Sequence, residues 1–247
     1  IMTNKYMYFI ANWKMYGDLN SLNSLNKVIS FSHKNKISKF KLIYCPPATL
    51  IYPFSKKLQN TLIDVGAQNC HESDNYDAFT GHINSKMLKD AGAKYLILGH
   101  SENRKNGETD KLINLKIKSA IKSGLKIIFC IGETSSEKKN KKTNQILSKQ
   151  IKIGLNGVKN KSNIIIAYEP VWAIGTGIIP RLKDLENLII FIKGKYRKKS
   201  LKVLYGGSVN SENINSLKSI STIDGFLIGG ASHDANKFID IIKKTYI

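Results

Sequence analysis

Eight short runs of apolar, β-favouring residues recur along the chain: YMYFIANW, KLIYCPP, LIDVGAQN, YLILGHS, KIIFCIGE, IIIAYEP, KVLYGGS and GFLIGGAS. Stretches of helical period lie between them. Leu112, Leu115, Ile117 and Ile121, for example, are spaced to form one buried helical face. Runs apolar at consecutive positions belong to strands covered on both sides, and strands alternating with helices give a parallel sheet. Eight such units in 247 residues predict closure into a (β/α)8 barrel, a single domain over 1–247. An open doubly wound sheet is the alternative.

Polar residues and glycines collect at the C-terminal ends of these runs: Asn12 and Lys14, Gln68 and Asn69, His100 and Glu102, Glu133, Glu169, Ser208, Gly229 and Gly230. In a barrel those ends converge on one mouth, where active sites of this fold lie. Taken singly, each has a plainer reading as a helix cap or a turn residue. AYEPVWAIGTG (167–177) raises the question most sharply. A buried strand there delivers one carboxylate, Glu169, to a loop of small residues around Trp172 that can move as a flap.

A hydrophobic content of 42% supports a sizeable core, and no apolar run has membrane-spanning length, so a soluble protein is expected. The start, IMTNKYMYFIANWKM, lacks the ordered regions of a signal peptide, and Ile1 ahead of Met2 is expected to be a leftover of expression. Cys45, Cys70 and Cys130 form no CxxC pair, which points away from a disulfide framework or a zinc site and towards a reducing cytoplasm. His71, His82, His100 and His233 are scattered, so no metal is expected. GTGIIP begins like a dinucleotide fingerprint, but Pro180 stands where its third glycine belongs and no Walker A pattern occurs; no cofactor is expected. A net charge of +21 would suit a nucleic-acid binder, with SEKKNKK (136–142) and YRKKS (196–200) as the densest basic clusters. The basic residues are nevertheless spread widely without aromatic interleaving, and they read as solvated surface with weak attraction for anions.

ANWKMYG, LGHSENR, AYEPVWAIGTG, YGGSVN and GFLIGGAS occur in this order, each at a strand-to-loop junction, with GAQNC, DAFTGHI and CIGE between them. Together they closely resemble the triosephosphate isomerase family over essentially the whole chain. The resemblance implies a glycolytic and gluconeogenic enzyme that interconverts dihydroxyacetone phosphate and D-glyceraldehyde 3-phosphate through an enediolate. It implies Glu169 as the base, and a carboxylate suits that task because exclusion of water strengthens it as a base. His100, at the start of a short helix, is implied as a neutral donor to the substrate oxygens, and Asn12 as an oxygen-binding amide. Lys14 is implied as the positive charge for phosphate and oxyanion, held by Glu102. Two residues apart on a strand, Asn12 and Lys14 are expected to project to one face. Gly175, Ser208, Gly229 and Gly230 are implied to grip the substrate phosphate through backbone N–H groups.

The resemblance further implies a homodimer whose loop tip, Phe79 and Thr80, docks beside the partner's Asn12 and Lys14. Neither a specific nucleic acid nor a membrane is expected as a partner. Three departures from the family pattern stand out: Tyr16 replaces an asparagine, Asn103 an arginine that supports the partner's loop, and Ile178-Ile179-Pro180 a lid hinge of small or polar residues. A different phosphosugar isomerase or aldolase of the same fold, or a basic nucleic-acid-binding protein, is the alternative function.

Overall fold

In the computed structural model, which describes residues 5–34, 39–195 and 201–246, the apolar runs become eight strands. They are β1 Met7–Asn12, β2 Phe40–Cys45, β3 Ile63–Ala67, β4 Tyr95–Leu98, β5 Lys126–Ile131, β6 Ile164–Tyr168, β7 Lys202–Tyr205 and β8 Gly225–Ile228. All neighbours pair in parallel, and β8 closes onto β1, so the sheet is a barrel in sequence order. Helices α1 Leu25–Lys34, α2 Ile51–Leu58, α3 Ser85–Asp90, α4 Ser101–Lys105, α5 Asp110–Lys122, α6 Ser135–Lys139, α7 Thr143–Gly154, α8 Leu182–Gly194, α9 Ile214–Leu217 and α10 Ala235–Tyr246 lie between and after the strands. Ile1 and the basic cluster at 196–200 lie outside the described residues.

Strand alternation divides the apolar side chains into two bodies. Ile10, Ile43, Ile97, Ile128, Cys130, Ile165, Ala167, Leu204 and Leu227 fill the barrel, while Phe9, Leu42, Leu96, Phe129, Ile166 and Phe226 face the helices. The inward series leads to the mouth: Ile10 is followed two residues later by Asn12, and Ala167 by Glu169. At the opposite end, Asp224 is bound by Lys193 Nζ at 2.7 Å, Lys5 Nζ at 2.9 Å and the N–H of Val203 at 2.9 Å.

The α5 face differs from the expected one. Ile113, Ile117 and Ala120 are buried, whereas Leu115 is 52% exposed. Asn114 and Lys116 are buried in its place because each has a specific partner: the Asn114 amide donates to the carbonyls of Gly154 and Asn156, and Lys116 pairs with Glu108. Hydrophobic spacing gives no signal for such long-range polar contacts.

Candidate active site

Asn12, Lys14, His100, Glu169, Gly175, Ser208, Gly229 and Gly230 all line one cavity of about 270 Å³ at the C-terminal mouth of the barrel. Its size suits a small ligand. Of the other strand-end residues, Gln68 and Glu102 bond Lys14 of the lining directly, whereas Asn69 accepts from Lys116 and Glu133 from Trp172.

Glu169 is 2% exposed. Its Oε2 accepts the N–H of Ser101 at 3.2 Å, and its Oε1 lies 3.2 Å from His100 Nε2. Two glycines make room for it: a Cβ on Gly132 would fall 1.8 Å from the Glu169 carbonyl oxygen, and one on Gly206 would fall 2.9 Å from Glu169 Cγ. Behind the carboxylate, burial and then the charge of Glu169 push the Cys130 thiol well above its ordinary range, so it stays protonated.

His100 is the N-cap of α4, and its Nδ1 accepts the N–H of Glu102 at 3.3 Å. An imidazole that accepts at Nδ1 carries its proton on Nε2, the nitrogen turned towards Glu169. The barrel therefore presents a carboxylate and a directed N–H donor side by side.

Lys14 reaches the cavity by a route strand alternation did not predict. β1 ends at Asn12, and Lys14 adopts φ +55°, the left-handed region that few side chains occupy. Three contacts hold it there. Its N–H donates to Asn12 Oδ1 at 3.1 Å, its carbonyl accepts from Gln68 Nε2 at 2.8 Å, and its Nζ pairs with Glu102 Oε1 at 2.6 Å. The Glu102 carboxyl, although burial raises it, is held below its usual range by the hydrogen bond and the charge of Lys14. Lys14 is the single lysine or arginine among the described lining residues.

The glycine-rich edge adjoins this lysine: a Cβ on Gly229 would lie 3.5 Å from Lys14 Cε. Gly206, Gly207 and Asn210 join Ser208 in the lining. Gly207 admits no side chain, because a Cβ would lie 2.2 Å from Tyr205 Oη. The Ser208 hydroxyl accepts the N–H of Gly177 at 3.0 Å and donates to the carbonyl of Ala173 at 2.9 Å. It thereby ties the loop 173–177 to the glycine edge. Glu133, 1% exposed, accepts from Tyr168 Oη and from Trp172 Nε1.

Phe79 and Thr80 are exposed and lie outside the cavity, on the loop after β3. Tyr16 stacks on His233 with ring centroids 4.3 Å apart and planes 2° apart, which gives this departure from the family pattern a use within its own chain. Among the described residues, no group of three or more His, Cys, Asp and Glu side chains gathers as a metal site, and no helix is long and apolar enough to cross a membrane.

A family model described as triosephosphate isomerase matches residues 7–245. The triosephosphate isomerase of Thermodesulfovibrio yellowstonii is 41% identical over 244 residues, covering 96% of this chain and 98% of the relative. That of Wolbachia pipientis wMel is 43% identical over 236 residues, covering 96% and 93%. The crystal structure of triosephosphate isomerase from Bartonella henselae superposes with a TM-score of 0.87 at 36% identity, covering 96% of this chain and 98% of the other.

Proposed function

The chain belongs to the triosephosphate isomerase family and interconverts dihydroxyacetone phosphate and D-glyceraldehyde 3-phosphate, a step of glycolysis, and from that premise we propose how its residues divide the work. Glu169 removes a proton from the carbon beside the substrate carbonyl. The C–H electron pair becomes the enediolate double bond while the carbonyl π pair moves onto oxygen; the hydroxyl proton then passes from the first oxygen to the second, beside His100, as Glu169 returns its proton to the neighbouring carbon. His100 Nε2–H and the Asn12 amide hold the two oxygens as charge develops, and Lys14 supplies the fixed positive charge. Backbone N–H groups of Gly175, Ser208, Gly229 and Gly230 take the phosphate, and loop 170–180 covers it as a lid that excludes water. The observation that carries this reading is the convergence of Asn12, Lys14, His100 and Glu169 on one small cavity beside the glycine edge.

A coupled assay with glyceraldehyde 3-phosphate tests it. Glu169→Gln is expected to lower kcat by at least about 10³-fold while inhibitor affinity changes only a few-fold, because the amide cannot take the proton. A change confined to KM would overturn the base assignment. Chelator is expected to leave the activity unchanged.

The working unit in this reading is a homodimer of single-domain barrels in a reducing cytoplasm, which suits three free, buried cysteines. Support for the dimer is the exposure of Met15 at 97%, Tyr76 at 74% and Phe79 at 46% on the loops after β1 and β3. Asn103 lacks the forked contacts of arginine, so the interface is weaker than is usual for the family. Analytical ultracentrifugation of a fully active sample that finds only monomer at micromolar concentration would overturn it.

A further inference from the structure

One lysine of the basic run 136–142 is more than solvated surface. Lys138 Nζ lies 3.1 Å from the centroid of the Trp172 ring. Lys138 stands on α6, whose start is fixed by a capping box between Thr134 and Glu137, immediately beyond Glu133. Trp172 belongs to the first turn of the lid, Val171–Ala173. Its edge is held as well: Nε1 donates to Glu133 Oε1 at 2.9 Å, and the N–H of Val171 donates to the Glu133 carbonyl at 3.1 Å. One indole is therefore gripped by a carboxylate in its plane and by an ammonium over its face. An indole is the aromatic ring that attracts a cation most strongly. Residues 171–179 carry no charge of their own, and Lys138 and Glu133 bring charge to this arm from outside it.

We propose that Lys138 is a positioning residue for the lid, its ammonium and Glu133 clamping Trp172 so that the N-terminal arm is already ordered when a phosphate ligand arrives. The proposal rests on the reading of 170–180 as a lid. An arm freed from the clamp samples more arrangements, and ordering them on ligand binding costs affinity while leaving Glu169 intact.

The test compares the wild type with Lys138→Met and Lys138→Arg, using phosphoglycolate, whose carboxylate imitates the enediolate oxygens. Trp13, the only other tryptophan, is buried, so acrylamide quenching reports mainly on Trp172. Lys138→Met is expected to raise the quenching constant about 2-fold and the phosphoglycolate Kd about 3- to 10-fold, with an unchanged melting temperature. Lys138→Arg is expected to restore both, since a guanidinium also stacks on an indole. Weaker binding without altered quenching would mean that Lys138 acts on the ligand as a distant charge, and the proposal would fall. It would fall equally if quenching rose and Kd did not. If saturating phosphoglycolate left amide hydrogen exchange across 173–180 of the wild type unchanged, the lid reading itself would be at fault, whatever Lys138 does.

Discussion

The carboxamide of Gln68 donates to the main-chain carbonyl of Lys14 at 2.8 Å, and so pins a residue whose φ is +55°. The same Nε2 donates to the carbonyl of Cys45, also at 2.8 Å, so the lysine is tied to the end of β2. A sparsely populated backbone conformation costs on the order of 1–3 kcal/mol and persists where neighbours over-determine it. With Asn12 and Glu102, Gln68 is such a neighbour. Gln68→Leu keeps the bulk and removes the donor. It is expected to lower kcat/KM about 10-fold, or roughly 1.4 kcal/mol, for the loss of both hydrogen bonds, with little change in melting temperature. Steady-state kinetics beside a thermal melt would check it.

Gly206 separates a catalytic effect from a folding one. An added Cβ would meet Glu169 Cγ at 2.9 Å, a contact that a side chain relieves by shifting. Gly206→Ala is therefore expected to reduce kcat by at least about 10²-fold while destabilising the fold by less than about 2 kcal/mol. Gly132→Ala is expected to be far worse, because its Cβ would meet the Glu169 carbonyl oxygen at 1.8 Å and the backbone cannot step aside. Activity and urea midpoints for the two variants should separate accordingly.

Pro180 is buried at the end of the loop 170–180, ahead of α8, and Ile179 packs partly against the core. Proline fixes its own φ and biases Ile179 towards extended backbone, so less chain freedom is lost on closure. Pro180→Ala is expected to weaken an enediolate-like phosphate inhibitor about 2- to 5-fold, from roughly 0.4–1 kcal/mol of chain entropy. Tighter binding in a calorimetric titration would mean that the proline strains closure instead.

Asp224 contributes to acid stability at the end of the barrel away from the cavity. Burial pushes its carboxyl up, but Lys193, the Val203 N–H and Lys5 outweigh burial and hold it below the usual carboxylate range. A depressed folded-state value stabilises the protein above the unfolded carboxyl value near 4, and that stability is lost as the pH falls through the folded value. Asp224→Asn is expected to cost about 2 kcal/mol at pH 7, or about 4–8 °C in Tm. The gap to the wild type should close below about pH 4; a gap that persisted unchanged at pH 3 would contradict the ionic account.

The strands and their order were legible in the sequence because a parallel barrel buries both faces of every strand, so each announces itself as a continuous apolar run. The positions of Asn12 and Glu169 were legible for a related reason: alternation carries Ile10 on to Asn12 and Ala167 on to Glu169. Lys14 was legible as a residue but not as a geometry, since its reach depends on a left-handed φ stabilised by Gln68, 54 residues away. The buried face of α5 escaped prediction likewise, because Asn114 and Lys116 are buried through partners that the local pattern does not contain. Lys138 lay hidden in a run of like charges until folding set it over Trp172. Short-range order follows from periodicity and burial, which each segment carries in its own composition. The polar clamps around the cavity follow from which strand ends become neighbours, and closure of the barrel decides that.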